Sequence, residues 1–543
     1  MRNFFLLFFT LIIISCSKSN DSNPTTGYDF AISNITFANE PLLNNHKGIE
    51  LQPEFIISFE EVIENQDLGS YIQILNSDKS IISSTVKMID EGKTVSVKPT
   101  GNLSSISKYE ILVKKTLKST TNKSLNQQYN YGFNTAIDSS DKFKRISEEE
   151  LLNLVQKQTF SYFWDFAHPN SGMIRERNTS NETVTTGGTG FGLMAIITGV
   201  HRNFINKVEG LERTKKIVSF LKSADKYHGA FSHWYNGQTG KTQPFSEKDN
   251  GADLVETALL FQGLLASREY FQDASLTEDI NKLFNAVEWN FFQNGQNALF
   301  WHWSPDYNWE LNLKIQGWNE SLIVYALAAG ANNHSIDKSV YDEGWARNGA
   351  MKNGKTFFDL LLPLGPDYGG SLFTAQYSFL GINPLGLTDA FADYELQVKN
   401  QTLINRAYCI SNPKGYYGYS GDNWGLTAGD IPNGYGAQSP SNDIGVIAPT
   451  AAVSSMAFTP VESIAALEFF YYKLGDKIWG EYGFKDGFSL DEPWFAESYL
   501  AIDQGPIIIG IENHRSKLLW DLLMKSPEIK KGLTKLGFSS PNI

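Results

Sequence analysis

The sequence predicts a multidomain protein in which a small all-β sandwich precedes a large all-α domain, an (α/α)6 toroid of six helical hairpins. Three observations carry this. At 543 residues the chain is too long for one ordinary hydrophobic core. Residues 28–136 alternate apolar and polar side chains with period two between polar turn clusters. From about residue 147 onward, apolar residues recur instead at three- and four-residue spacing, as helices require.

The elements follow in order. MRNFFLLFFTLIIISC combines basic Arg2, an apolar run from Phe4 to Ile14, and small Ser15 before Cys16. Such a run is short for a membrane span and reads as a secretory signal over residues 1–15. Its Ile13-Ile14-Ser15-Cys16 ending resembles a bacterial lipobox, which implies cleavage before Cys16 and lipidation of that residue. The expectation is an exported lipoprotein, periplasmic or cell-surface, anchored to a membrane through Cys16. Cys409 is then the only other cysteine, so no intrachain disulfide is expected. Residues 16–27 are rich in Ser, Asn and Pro and suit a flexible tether.

Within residues 28–136 the strand candidates are FIISF (55–59), YIQIL (71–75), TVSVKP (94–99) and YEILVKK (109–115). The stretches PEFIISFEEVI, DEGKTVSVKPTGNLSSISKYEILV and YNYGFNTA resemble the bacterial Ig-like domains found ahead of secreted hydrolases. No catalytic constellation falls there, so the domain reads as a spacer or weak carbohydrate binder. A polar hinge at 137–146 leads to the helical domain, 147–543. Helical patterns include LLNLVQKQTFSYFWDFA, GTGFGLMAIITGVHRNFI, ADLVETALLFQGLLASREYF, DINKLFNAVEWNFF, NESLIVYALAAG, TPVESIAALEFFYYKL and SKLLWDLLMKS. Weaker candidates lie near 213–225, 355–363, 371–380, 388–409 and 494–503. Paired helices joined by long Gly-, Asn- and aromatic-rich loops suggest a toroid with function on its loops.

A net charge of −13 without a basic stripe argues against nucleic acid as a partner. A neutral or cationic ligand fits better. The 12 Trp and 24 Tyr are either core rings or flat platforms for sugars. There is no HExxH, no Walker loop and no Cys pair near His, and the eight histidines look isolated, so neither metal nor cofactor is expected. GTGFG (188–192) follows no strand and reads as close backbone packing at a helix start.

A carboxylate mechanism remains. In EKDNGADLVET, Asp249, Asp253 and Glu256 are spaced to share one helix face, where like pairs cost about 0.2–0.5 kcal/mol each. One of them could cap the helix and Lys248 could pair with another, but three exceed what a cap needs. A second segment runs through Trp301, Trp303, Trp309 and Trp318 to Glu320 at the head of an apolar helix. Glycoside hydrolysis needs one protonated and one ionised carboxyl group, and burial beside aromatics raises a carboxyl pKa. Glu320 beside Trp318 has that character, although a first-turn helix acid would read the same.

Six stretches, QTFSYFWDFAHPNSGMIRER, TTGGTGFGLMAI, YHGAFSHWYNG, KDNGADLVET, WHWSPDYNWELN and GWNESL, together resemble the bacterial β-1,2-glucanases of glycoside hydrolase family 144, a glucoamylase-like group. The likeness runs from about residue 147 to the C-terminus. It implies an α/α toroid and anomer-inverting hydrolysis of β-1,2-glucan to sophorose or short sophoro-oligosaccharides. It implies catalytic-site roles for Asp249, Asp253 and Glu256 and makes Glu320 the candidate general acid. Asp503 in LAIDQGPI is the candidate base, with Glu497 and Asp491 as rivals, and inversion would set the carboxyl groups roughly 6.5–9.5 Å apart. Candidate substrate-binding residues are Arg175, Arg177, Trp234, Trp301, Trp303, Trp318, Tyr377 and Trp424. Both arginines could instead pair with loop acids, and the rings could be core. A polysaccharide lyase on the same toroid and a non-catalytic tethered glycan-binding protein are the alternatives.

Overall fold

The computed structural model describes residues 29–543. The signal, tether and Cys16 readings lie outside the described residues. The chain divides into two compact units, the first ending at Thr135 and the second running from Ala136 to Ile543.

In the first unit ten strands form two five-stranded sheets: β1 (Ile32–Phe37), β2 (Glu40–Pro41), β3 (His46–Ile49), β4 (Phe55–Phe59), β5 (Ile72–Asn76), β6 (Ile81–Ile82), β7 (Ser84–Ile89), β8 (Thr94–Pro99), β9 (Lys108–Val113) and β10 (Tyr129–Thr135). The strand orders are β2-β1-β4-β8-β7 and β3-β10-β9-β5-β6. The period-two pattern explains the packing. Phe55, Ile57 and Phe59 of β4 point inward, with Val95 and Val97 of β8, to meet Ile111, Val113 and Phe133 in one core.

The second unit is helical, with α1 (Glu148–Trp164), α2 (Thr186–His201), α3 (Lys207–Ser223), α4 (Leu254–Phe271), α5 (Ala274–Asn285), α6 (Leu322–Gly330), α7 (Lys338–Val340), α8 (Tyr394–Ser411), α9 (Pro449–Ser454), α10 (Pro460–Glu468), α11 (Leu474–Ile478), α12 (Ala501–Ser516), α13 (Leu518–Leu523) and α14 (Pro527–Leu536). Helices apolar all round must be covered on every side, whereas amphipathic ones can face water. Accordingly α2, α4 and α6 are buried along nearly their whole length, while α3, α5 and α14 bury one face. The inner contacts run from α2 to α4 and from α4 to α6. They continue from Ile323 of α6, whose N–H donates to Ser378 Oγ (3.0 Å), through Gln376, whose side chain donates to Ala451 O of α9 (2.9 Å). From there α9 packs on α12 and α12 on α2. Helix α1 packs on α12, α3 on α2, α5 on α4, α14 on α6 and α10 on α9.

The glycines of GTGFG serve close packing. A Cβ at Gly190 would sit 2.1 Å from Leu259 O of α4, and one at Gly263 of α4 would sit 2.1 Å from Gly190 O, so only glycine lets these backbones touch.

Three local expectations are corrected. Residues 355–363 form a β-hairpin, Lys352–Phe357 with Leu360–Leu364, because Phe358 and Asp359 both adopt positive φ (51° and 64°) and turn the chain in two residues. The candidate helix at 494–503 is instead a short strand, Trp494–Phe495, and α12 begins only at Ala501, continuing past Pro506 where it is buried from Asp503 to Asn513. The expected hinge at 137–146 is docked on its own unit. Lys142 N–H donates to Tyr472 O (2.7 Å), and Phe143 stacks on Tyr471 with ring centroids 4.6 Å apart.

Candidate active site

Three chain segments converge on the acidic sequence that opens α4. The strand Thr183–Thr185 leads into α2 and pairs with Trp234–Asn236, which carries His233 on its leading edge. The bridge between Ala252–Asp253 and His302–Trp303 sets Asp253 directly opposite His302. Asp253 is the N-cap of α4, its Oδ1 accepting from the N–H groups of Val255 (3.0 Å) and Glu256 (2.9 Å). Asp249 lies before the helix, in a turn, so the three acids do not share one helix face as their spacing suggested.

Their crowding is resolved by two histidines that looked isolated in the sequence. His233 Nδ1 lies 2.9 Å from Asp253 Oδ2 and 4.0 Å from Asp249 Oδ2. His302 Nε2 lies 3.1 Å from Asp249 Oδ2 and 3.5 Å from Asp253 Oδ2. Burial opposes charge on both rings, but the carboxylates win. Glu256 foremost, then Asp253, raises His233 to about 9, and hydrogen bonding to Asp249 and Asp253 raises His302 to about 10. Both rings are imidazolium at neutral pH. Burial likewise pushes Asp253 upward, yet hydrogen bonds from the two rings hold its carboxyl well below the usual range. One ligand atom each from His233, Asp249 and Asp253 falls within 4.8 Å of the others, a set a cation could use. The two imidazoliums already bring positive charge to it. Lys248 does not join the cluster; it pairs with Glu310 across the surface.

Glu256 is set apart from its neighbours. Burial raises its pKa, His233 partly offsets that, and one oxygen accepts from the Gly187 N–H at the start of α2 (2.6 Å). Glu320 stands two residues before α6, where its carboxyl opens on a cavity but is otherwise surrounded by protein. Burial first, and then the charges of Asp253 and Glu256, raise it to about 7. The two glutamates line one cavity of about 510 Å³ with His233, Trp234, Trp301, Phe373, Tyr377, Tyr435 and Arg177. Its volume and aromatic walls suit a small-molecule or oligosaccharide ligand.

A second acidic group lies near Tyr377; its Asp503 is the base candidate of the sequence, whereas its partners Asp486 and Asp430 were not read there. Asp503, in the first turn of α12, faces Asp486, and burial together with the Asp486 charge pushes Asp503 well above the carboxylate range. Burial also raises Asp486, to about 6, although it accepts from the Asp430 N–H (2.5 Å). Among the described residues no protein donor reaches Asp503 Oδ2 or Asp486 Oδ1, so each carboxyl keeps one buried oxygen without a partner. Asp430 connects this pair to the cavity wall by accepting from Arg177 Nη1 (3.3 Å) and Ser498 Oγ (2.5 Å). The other arm of Arg177 donates to Glu176 (3.0 Å).

Several candidate residues are placed elsewhere. Trp318 is buried, its indole N–H donating to Gln401 Oε1 (2.8 Å) and its ring stacked on Phe379, so Tyr377 rather than Trp318 stands in the cavity with Glu320. Trp424 is wholly buried in the core. Trp303 packs edge-on against His228, behind the cavity wall. Arg175 is occupied by the carbonyls of Phe166 and Asn181. Of the rival bases, Glu497 pairs with Lys485 and Asp491 accepts from the Tyr417 N–H. Asp430 and Asp486 carried one sequence signal, a neighbouring glycine at Gly429 and Gly487, and Asp486 also lies in the aromatic-rich stretch from Tyr482 to Phe495.

A carboxyl held near pH 7 beside a second buried glutamate, in an aromatic cavity of a helical domain, is built in the manner of a glycoside hydrolase. Comparison with known proteins narrows this. Residues 312–527 match the family model described as "Putative glucoamylase" and residues 35–135 match "Bacterial Ig-like domain". A crystal structure from Bacteroides uniformis, titled a "putative glucoamylase", is 54% identical, with a TM-score of 0.73 over 74% of this chain and 100% of that one. An endo-β-1,2-glucanase from Chitinophaga pinensis, solved with sophorotriose and glucose, is 48% identical, with a TM-score of 0.72 over 74% of this chain and 100% of that one. An exo β-1,2-glucooligosaccharide sophorohydrolase of Parabacteroides distasonis is 42% identical over 419 residues, 72% of this chain, and the chain spans 58% of that relative's length. The chain belongs to the glucoamylase-like family of glycoside hydrolases that includes these β-1,2-glucanases.

Proposed function

We propose that the protein hydrolyses β-1,2-glucan to sophorose or short sophoro-oligosaccharides, with inversion at the anomeric carbon. The observation that carries this is Glu320, held near pH 7 in a cavity whose neighbouring carboxyl groups are balanced by imidazoliums. It is supported by the 48% identity, over its whole chain, to an endo-β-1,2-glucanase. The helical contacts running from α2 through α4, α6 and α9 to α12 are read as the inner layer of an (α/α)6 toroid, with the cavity at its loop-bearing end.

In this mechanism Glu320 gives its proton to the leaving glycosidic oxygen. Asp253 and Glu256 keep Glu320 protonated by their charge, Glu256 lines the cavity where it can grip sugar hydroxyl groups, and Asp249 and Asp253 are steadied by His233 and His302. The base role falls to Asp503 together with Asp486 rather than to Asp503 alone. With one shared proton the pair carries one negative charge at neutral pH and can accept the proton of the attacking water. Trp234, Trp301 and Tyr377 give the sugar rings apolar faces, and Arg177 holds the wall between the two acidic groups. The N-terminal sequence supports export and membrane anchoring through Cys16, at the periplasmic or outer face.

Incubation with linear β-1,2-glucan followed by product sizing tests the reading. Saturated short sophoro-oligosaccharides are expected. Unsaturated, ultraviolet-absorbing ends would mean a lyase, and binding with unchanged chain length would mean a glycan-binding protein.

A further inference from the structure

A second pocket, about 730 Å³, adjoins the carboxyl cavity and shares Arg177 and Tyr435 with it as a common wall. We propose that this pocket binds further glucosyl units of the same glucan chain whose scissile bond lies at Glu320, with the Trp494 indole as their platform; the proposal rests on the β-1,2-glucanase reading above.

The chemistry of the pocket selects a neutral, hydroxyl-rich, partly apolar ligand. Each of its charged groups already has an ionic or hydrogen-bonding partner. Arg177 is engaged by Glu176 and Asp430, Asp430 also accepts from Ser498, and Glu497 pairs with Lys485. A charged ligand therefore finds no uncommitted counter-charge there among these groups. Trp494 is half-buried on the short strand Trp494–Phe495, which pairs with Phe488–Ser489. Its ring is held from behind: a Cβ at Gly487 would lie 3.6 Å from it, and Phe495 is braced by stacking on Phe488. A fixed indole face next to amide and hydroxyl groups is the usual platform for a sugar ring.

Continuity argues that one chain occupies both pockets. Tyr435 lies on a hairpin, Ala428–Ile431 with Gly434–Ala437, directly opposite Asp430, and it is 51% exposed. It projects between the two pockets and contributes to both, so a chain leaving the Glu320 cavity past Tyr435 arrives over Trp494. Chain-length preference then depends on Trp494, whose pocket is lined by none of Glu320, Asp486 and Asp503.

The test compares Trp494→Ala and Trp494→Phe with wild type on long linear β-1,2-glucan and on sophorotriose, with melting temperature recorded as a fold control. Trp494→Ala is expected to raise KM for the long chain about tenfold with kcat unchanged. It should leave kcat/KM for sophorotriose within about twofold, and Trp494→Phe should restore most of the long-chain KM. Equal effects on both lengths, or none on either, would overturn the proposal while leaving the β-1,2-glucanase reading intact. A wild-type protein inactive on every β-1,2-glucan would overturn that reading and this inference with it.

Discussion

Glu320→Gln bears most directly on how the cavity works. The carboxyl rises from an ordinary 4.5 to about 7, so folding favours its protonated form. The rise from 4.5 to about 7 is worth roughly 3 kcal/mol. The sign follows from linkage. Below about pH 4.5 the group is protonated folded or unfolded and carries no penalty; as pH rises to about 7 and beyond, the folded state must ionise it, and that stability is lost. Gln cannot ionise, so Glu320→Gln is expected to be more stable than wild type above pH 7, by at most about 3 kcal/mol, with the advantage fading near pH 5. Activity should move the opposite way. Loss of a general acid costs about 10²–10⁴-fold in kcat, and the wild-type rate should fall as pH rises through about 7. Urea melts at pH 5 and 8, read beside pH–rate profiles of both proteins, check this. A stability difference between variant and wild type that is the same at pH 5 and pH 8 would refute the burial argument, and a variant that keeps wild-type kcat would refute the acid assignment.

Three further outcomes follow. His302→Ala leaves Asp249 and Asp253 short of a counter-charge, so stability at pH 7 should drop by about 3–5 kcal/mol; because the raised histidine pKa values lie near 9 and 10, wild type should lose this contribution as pH climbs through that range while the variant loses less. Asp486→Asn should lower kcat at least about 10²-fold and abolish the acidic limb of the pH–rate profile near pH 6, measured on β-1,2-glucan. Gly190→Ala drives a methyl group into Leu259 O and should cost about 1–3 kcal/mol or more by calorimetry, whereas Gly101→Ala, with no atom within 4 Å, should be near neutral.

What the sequence made legible is what repeats along it. Period-two runs such as FIISF gave β4 at its observed residues, and unbroken apolar helices such as NESLIVYALAAG gave the inner α6. Glu320 and the Asp249–Glu256 segment were legible because each sits among aromatics next to a helix start. What stayed hidden depends on contacts between distant segments. His302 reaches Asp249 only because a two-residue bridge aligns it with Asp253, and Asp486 meets Asp503 only when the turn before Phe488 folds against α12. The aromatic count misled for the same reason. Trp318 and Trp424 have the same local flavour as Trp301, yet Trp318 is spent on Gln401 and Trp424 on the core. Helix propensity also failed where neighbours override it: the isoleucine run after Pro506 is helical because α12 is buried from Asp503 to Asn513.

The most direct test of the central claim is proton NMR of the anomeric signals during the first turnovers on linear β-1,2-glucan, run with wild type and Glu320→Gln. The expected result is rapid appearance of α-configured reducing ends from the β-linked chain in wild type, with the signal reduced at least about 10²-fold in the variant. First-formed β-anomers, or equal rates in the two proteins, would contradict an inverting hydrolysis in which Glu320 supplies the proton.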